Sequence, residues 1–470
     1  MNEIFTPDRQ VFSSRNESPL HASSFWKETR STLFLAMPII LGQVLQNSLG
    51  VIDTLMVGRV SVAAVAACSF ATALFTVPLV FGFGVLAALS VFVARAAAQH
   101  NLVETAHLLR RGLVLSMGLA IAMVLGITFV SRGLVFFHEP AAVIAQGRPF
   151  LLLLTYSIVP MYLFQTLKQF CEAQHAAWPS LLILIIGVLV NVALNWIFIF
   201  GHWGAPPMGL LGAGWATLLT RTLIFGVLAG FVTARFFQTS IMRNAFGDSV
   251  FKFHGYRELL NLGLPVGAQV ILEVGAFTMA AVMMGWISEA ALAAHQVAIS
   301  IASMSFMVPL GLSMALAIRV SHALGRGAWG RAAQAIRGTL LVTVSFMSGT
   351  ALILFAFSHQ LAAFFILDAS VVMLAAHILI IAGLFQIFDG IQVVSIGALR
   401  GLHDVKVPTL INFFGYWGLA LPLSYFLAFN EKWGALGVWS GLLAGLAFVA
   451  CFLIIRLELA LRKHAHTPLT

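Results

Sequence analysis

Long apolar segments alternate with short polar ones along almost the whole chain. A membrane-spanning helix needs about 20 predominantly apolar residues, and nearly charge-free segments of that length recur about twelve times. Gly, Pro and other small residues are frequent within them, as in packed membrane helices. The pattern therefore predicts an all-α membrane protein, with about twelve spans near residues 33–57, 63–90, 112–131, 149–170, 176–200, 209–234, 258–285, 290–318, 338–357, 372–395, 407–429 and 434–456.

The composition narrows the class of protein. Of the 470 residues, 60% are hydrophobic and 9% are charged, and the mean hydropathy is +0.96. A typical soluble domain carries about 25% charged residues. These values exclude an ordinary soluble enzyme, a disordered protein and a nucleic-acid binder, so the net charge of +9 needs another explanation.

The distribution of basic residues supplies that explanation. When the spans are threaded with the N-terminus inside, 21 of the 26 Lys and Arg residues fall on one side of the membrane. Arg221 lies within a span, and the other side holds only Arg59, Arg132, Arg148 and Lys432. Because cytoplasmic loops are enriched in Lys and Arg, we expect both termini to be cytoplasmic.

The two halves of the chain align with each other without a gap at an offset of 227 residues. The matched pairs include Pro38 and Pro265, Met56 and Met283, Ser61 and Ser288, Gly84 and Gly311, and Arg110 and Arg337. Later, "HAAWPSLL" at residues 175–182 is similar to "HDVKVPTLI" at residues 403–411. Each unit has an even number of spans, so the halves form a parallel repeat, an arrangement used by secondary transporters with the substrate path between the lobes.

These observations divide the chain into two six-helix lobes and three polar segments. Residues 1–24 carry no apolar stretch typical of a secretory signal. We expect a cytoplasmic N-terminal tail at 1–32, an N-lobe at 33–235, a cytoplasmic linker at 236–256, a C-lobe at 257–456 and a cytoplasmic C-terminal tail at 457–470.

Several segments resemble one family of transporters. The first span reads "PIILGQVLQNSLGVIDTLMVGR", the seventh reads "LPVGAQVILEVGAFTMAAVMMGW", and "ALAAHQVA" follows it. Together they resemble the multidrug and toxic compound extrusion (MATE) family, in its NorM-like branch. The resemblance implies a V-shaped pair of lobes in the bacterial inner membrane, no enzymatic activity, and export of amphiphilic, cationic drugs in exchange for Na⁺ or H⁺. It also implies a monomer with no cofactor besides the coupling ion.

Three acidic residues, Asp53, Glu273 and Asp389, lie inside predicted spans. A charge at mid-membrane costs about 2.5–3.5 kcal/mol on insertion scales, so such residues are functional candidates. The alternative is a structural polar contact between helices. By resemblance, Glu273 and Asp389 share a site in the C-lobe, where the pair can hold one proton or bind Na⁺. Some sodium-coupled members carry a Tyr where this chain has Phe385.

Asp53 has candidate partners in the N-lobe. Asn191 and Asn195 are spaced i, i+4 and so share a helix face, and Thr217 lies on the next helix. By resemblance, these four residues surround a proton or a Na⁺ ion. Alternatively, the Asn pair only joins helices by hydrogen bonds. Arg221 either neutralises a carboxylate or extends towards the lipid headgroups.

The resemblance also indicates candidate contacts for a cationic substrate. These are Asp368, Phe277, Gln296 and Phe385. A solvated loop acid is the alternative for Asp368. A rival function is that of a lipid-linked oligosaccharide flippase from the same broad superfamily, but such proteins need several basic residues in the cavity, and here only Arg221 lies within a span.

Overall fold

The computed structural model describes residues 22–134, 140–238, 253–366 and 368–465. Within these ranges twelve helices are long and apolar enough to cross a membrane, and no residue is in a β-strand, which confirms the predicted all-α class and span count. The helices are α1 (Ala22–Val57), α2 (Val62–Ala98), α3 (Leu102–Arg132), α4 (Ala141–Ala173), α5 (Ala177–Phe200), α6 (Leu210–Phe236), α7 (Phe253–Ile287), α8 (Glu289–Gly325), α9 (Trp329–Phe365), α10 (Ala369–Gly401), α11 (Lys406–Asn430) and α12 (Ala435–Ala465).

The outermost helices extend beyond the predicted spans. Helix α1 begins at Ala22 and α12 ends at Ala465, so both reach into the segments 1–32 and 457–470 that the sequence suggested were tails. Residues 1–21 and 466–470 lie outside the described ranges, as does most of the predicted linker at 236–256, from residue 239 to residue 252.

Four of the described helices depart from regular α geometry, and one of them is α9, which has a kink at Phe357. Helix α2 is interrupted at Ala87 and α4 at Ser157. Helix α11 contains two π-helical segments, Phe414–Ala420 and Phe426–Asn430. Such widened turns are rare and occur frequently at functional sites.

The internal repeat is visible in local structure. Ser61 caps the N-terminus of α2 by accepting a hydrogen bond from the Ala64 amide at 3.0 Å, and Ser288 caps α8 in the same way from Ala291 at 3.0 Å. A serine at this position satisfies an amide that has no partner within the helix. The repeated serines therefore start the second helix of each lobe alike.

The buried apolar residues of the described ranges show how the lobes, α1–α6 and α7–α12, are joined. One large core contains residues from both lobes, including Leu35, Phe170, Leu316 and Leu399. These residues lie near the N-terminal ends of the odd-numbered helices and near the C-terminal ends of the even-numbered helices, which meet on one side of the molecule. We call this side the basic end, because Arg95, Arg319 and Arg400 lie there. At the opposite side, the open end, each lobe has its own core. The lobes are thus joined at the basic end and separate at the open end.

Two close helix crossings connect the lobes. A Cβ added to Gly84 in α2 would lie 2.7 Å from the Gly267 Cα in α7. A Cβ added to Gly311 in α8 would lie 2.9 Å from the Ile40 Cα in α1. Small residues let membrane helices approach to backbone contact, so glycine is required at both positions.

Polar and aromatic contacts add to these crossings at the basic end. We call the whole contact between the lobes at this end the seam. Arg319 of α8 forms an ion pair with Glu28 of α1, and the Ser321 hydroxyl donates to the Val91 carbonyl of α2 at 2.6 Å. His175 and His403 follow the last turns of α4 and α10, both with left-handed φ, at 60° and 62°. The ring of His175 packs edge-on against His322 of α8, and that of His403 against Phe92 of α2, each at 5.0 Å.

Replacing Gly84 with Ala should destabilise the protein. The added methyl group forces α2 and α7 apart, and overpacking of this kind costs about 1–3 kcal/mol. Gly118→Ala in α3 is the matched control, because its Cβ would meet nothing within 4 Å. Thermal unfolding in detergent should give a lower Tm for Gly84→Ala than for Gly118→Ala, and equal Tm values would contradict the crossing.

Acidification at the basic end should loosen the seam. Burial, together with Arg319 and Arg326, lowers the pKa of His175 to about 4, and burial with Arg95 lowers that of His403 to about 4. A lowered pKa means that the closed seam holds the neutral rings. Its stability is therefore complete above the ordinary pKa of about 6.5 and is lost as the pH falls towards 4.

When the pH falls from 7 to 5, the equilibrium constant for opening of the seam should rise roughly twentyfold for each histidine that becomes fully hydrated. Thiol labelling of Ala98→Cys, a seam position against Gly325, measures the opening in a chain whose native cysteines are replaced by Ala. The labelling rate of Ala98→Cys is divided by the labelling rate of the exposed Gln238→Cys, which removes the intrinsic effect of pH on the thiol. His175→Gln with His403→Gln should lower the response strongly, with the remainder due to His322, which packs against His175; an unchanged response would show that other groups cause it.

Candidate ion and substrate sites

The N-lobe site brings together side chains from three helices around Asp53 of α1. Its Oδ1 accepts a hydrogen bond from the Asn195 Nδ2 of α5 at 2.6 Å, and its Oδ2 accepts one from the Thr217 hydroxyl of α6 at 3.0 Å. Asn195 also donates to the Asn191 Oδ1 at 3.1 Å. The four predicted residues therefore form one cluster.

The donors in this cluster stabilise a charged carboxylate, because hydrogen bonds to an ionised acceptor are the strong ones. Asn195 is completely buried, and its Oδ1 has no hydrogen-bond partner within the described ranges. That oxygen, next to the Asp53 carboxylate, is a suitable ligand for a cation. Among the described residues, no three His, Cys, Asp or Glu side chains lie close enough together to hold a metal ion. A cation here would therefore rely on amide and hydroxyl oxygens as well.

Arg221, whose partner could not be predicted from the sequence, lies beside this cluster. Its Nη1 donates to the Ser157 hydroxyl at 2.7 Å, and its guanidinium lies 5.2 Å from the ring centroid of Phe75. Its charge also interacts with that of Asp53. Ser157 stands at the break in α4, so the interrupted helix supplies the hydroxyl that positions Arg221. The arginine therefore balances the Asp53 carboxylate within the lobe.

The C-lobe site contains the second and third intramembrane acids. Glu273 in α7 lies close enough to Asp389 in α10 for their charges to interact. Asp389 is only 6% exposed, and its Oδ1 has no hydrogen-bond partner among the described residues. Two carboxylates that repel each other in a buried site are stabilised by one shared proton or by a bound cation.

An aromatic cluster lies against these acids. The ring of Phe277 is 5.9 Å from that of Phe385 and 6.3 Å from that of Tyr416, and Phe385 is 5.7 Å from Trp439. Phe277 is partly exposed and can offer its ring face to a flat organic cation, whereas Phe385, Tyr416 and Trp439 are buried behind it. Phe277 and Phe385, both predicted from the sequence, thus lie together.

Tyr416 was missed by the sequence analysis. It lies in the first π-helical segment of α11 and is fully buried. Its hydroxyl donates to the Gln392 Oε1 at 3.1 Å and accepts from the Gln392 Nε2 at 2.9 Å. The Tyr416 hydroxyl also lies close enough to Glu273 and Asp389 to interact with their charges. No local sequence signal marks it, because its partners come from α7 and α10.

The other two predicted substrate contacts lie apart from this cluster. Asp368 is exposed and caps the N-terminus of α10, where its Oδ1 accepts hydrogen bonds from the Ser370 and Val371 amides at 2.8 Å and 3.3 Å. The Ser370 hydroxyl, which donates to the same oxygen at 2.6 Å, and these two amides lower the pKa of the Asp368 carboxyl group. Gln296 is exposed on α8, next to the buried His295. Contact of either residue with a substrate stays a prediction.

Tyr416→Phe should destabilise the C-lobe. The change leaves the buried Gln392 amide without the hydroxyl, and an unsatisfied buried polar group costs about 1–3 kcal/mol. Tyr425→Phe is the matched control, since Tyr425 lies on the same helix and is 49% exposed. Thermal unfolding in detergent should show a lower Tm for Tyr416→Phe alone; equal Tm values for the two variants would contradict the inference.

Known proteins share this sequence over almost its full length. It is 35% identical over 443 residues to the "Probable multidrug resistance protein NorM" of Mesorhizobium japonicum, covering 92% of this chain and 94% of that protein. It is 32% identical over 436 residues to the multidrug resistance protein MdtK of Yersinia pestis (strain Pestoides F), covering 92% and 95%.

Solved structures share the fold. The eukaryotic MATE transporter AtDTX14 superimposes with a TM-score of 0.84 at 22% identity, over 94% of this chain and 99% of that one. The Vibrio cholerae MATE transporter VcmN in the bent form gives 0.83 at 18% identity, over 94% and 99%. The MatE family pattern itself matches residues 38–197 and 265–426, one segment in each lobe. The chain therefore belongs to the MatE family of multidrug and toxic compound extrusion transporters, in its NorM-like branch.

Proposed function

We propose that the protein is a secondary active multidrug efflux antiporter of the bacterial inner membrane, which exports amphiphilic, cationic compounds in exchange for an inward-moving cation. The observation that carries this proposal is the pair of half-buried Glu273 and buried Asp389 beside the Phe277 and Phe385 rings. The relatives named for multidrug resistance, NorM and MdtK, support the substrate class.

A carboxylate pair can exchange one cation for another. Its negative charge attracts either the coupling ion or the cationic drug, and binding of one removes most of the attraction for the other. The partly exposed Phe277 ring, packed against the buried Phe385 ring, supplies apolar and cation–π contacts that tolerate many flat cations. Competition for the same charge thus couples uptake of the ion to release of the drug.

For the C-lobe pair we favour H⁺ as the coupling ion. Phe385 has no oxygen to offer a sodium ion, and the Tyr416 hydroxyl is occupied by Gln392. A shared proton needs no ligand besides the two carboxylates. The Asp53 cluster, with its unpartnered Asn195 Oδ1 among the described residues, is better suited than the C-lobe pair to Na⁺.

We further propose that the basic end faces the cytoplasm, so that both termini are cytoplasmic. The excess of Lys and Arg on that side supports this orientation. The separate lobes at the open end then face the outside, where the inward-moving cation is taken up. The flippase alternative gains no support, because Arg221 is bonded to Ser157 and balances Asp53.

Efflux of a cationic dye from proteoliposomes tests the function. The parent protein should export dye under an imposed pH gradient or an imposed Na⁺ gradient, applied one at a time. Glu273→Gln and Asp389→Asn keep the shape and remove the charge, so each should lower the rate by about tenfold or more. Asp53→Asn should impair efflux, and because it leaves Arg221 without its balancing carboxylate, the amount of folded protein is measured alongside the rate.

Glu289→Gln is the control, since this exposed acid begins α8 outside both sites. It should export dye at the parent rate. If both C-lobe variants also did so, coupling would not depend on that pair, and Asp53 would become the candidate carrier. Absence of efflux by the parent protein under either gradient would contradict the function itself.

A further inference from the structure

A cleft of about 580 Å³ opens at the basic end, between the two lobes. The N-lobe contributes Phe92 and Arg95 from the last turns of α2, and the C-lobe contributes the start of α7 and the segment from His403 to Val407 that leads into α11. The cleft is separate from both acid sites, since Asp53, Glu273 and Asp389 are absent from its lining.

After the ion pairs of the cleft are taken into account, two basic side chains remain available to bind a ligand. Of its two acids, Asp404 is paired with the Arg456 Nε at 2.7 Å, and Glu258 interacts with another group of the chain. Arg95 and Lys406 are exposed, and within the described ranges neither has a side-chain hydrogen bond or an ion pair. His403 adds a buried Nε2 that has no hydrogen-bond partner among the described residues. The groups that remain free are therefore suited to bind an anion.

The position of the cleft indicates the source of that anion. Arg95 ends one spanning helix and Lys406 begins another, at the depth where headgroups lie. One helical turn after Lys406, on the same face of α11, Leu410 is 57% exposed. An anion with apolar chains can therefore bind its charged group in the cleft and lay a chain along this leucine. Basic pockets between helices on the cytoplasmic side of membranes bind anionic lipid headgroups in this way.

We propose that this cleft binds the phosphate headgroup of an anionic phospholipid, held by Arg95 of the N-lobe and Lys406 of the C-lobe. The bound headgroup bridges the lobes across the seam next to the Phe92–His403 contact. It therefore stabilises the conformation that is closed at the basic end.

Native mass spectrometry of the purified protein in detergent tests the proposal, and it needs neither a drug nor a gradient, so its outcome is independent of the transport function. Phosphatidylglycerol and phosphatidylcholine with the same acyl chains are titrated in turn. One phosphatidylglycerol should be retained in preference to phosphatidylcholine. Arg95→Gln and Lys406→Gln should each weaken its binding about fivefold, because each basic group near the surface contributes on the order of 1 kcal/mol.

Arg235→Gln is the matched control, because Arg235 is an exposed arginine in the last turn of α6, outside the cleft. Equal retention of the two lipids, or an equal loss of binding in Arg235→Gln and Arg95→Gln, would overturn the proposal. Inorganic phosphate at millimolar concentration should not displace the lipid; if it did, the cleft would be a site for a soluble anion. Unchanged Tm values for the variants would confirm that any loss of binding is not a loss of folding.

Discussion

The backbone contact between the lobes, at the crossings of α2 with α7 and of α8 with α1, is the constraint on which the rest of the structure depends. Gly84 meets Gly267 and Gly311 meets Ile40, and both pairs are related by the same offset of 227 residues. They are thus one contact made twice. Lipid provides no hydrophobic force between helices, so close packing at small residues is what holds the lobes together.

The duplication that built these crossings did not duplicate the acids. In the register of the repeat, Glu273 corresponds to Gln46, and Asp53 corresponds to Ala280. The two positions are two helical turns apart, so Asp53 lies about 10 Å nearer to the open end of its lobe than Glu273 does in the other. The lobes share a scaffold but present different chemistry at different depths, which is consistent with a loading site in one lobe and an exchange site in the other.

The sequence predicts the helices well because the bilayer forces each spanning segment to satisfy its own backbone, so hydropathy alone identifies the spans. The cluster around Asp53 was implied by the resemblance to the MATE family, whereas the spacing of Asn191 and Asn195 predicted only that these two residues share a helix face. Tyr416 did not, because its role depends on a π-helical turn and on helices distant in sequence. The capping role of Asp368 could have been predicted from the sequence, because an Asp directly before an apolar helix is a typical N-cap.

The acids and the crossings are also mechanically connected. Gly267 and Glu273 lie on α7, about 9 Å apart along the axis, and Ile40 and Asp53 lie on α1, about 20 Å apart. Any ligand that changes the charge at Glu273 or Asp53 therefore acts on a helix that forms one side of a crossing. A ligand can shift a conformational equilibrium only by its difference in affinity for the two states. Relief of the repulsion between Glu273 and Asp389 by a bound cation is one such difference, and it acts on α7, the helix that also carries Gly267.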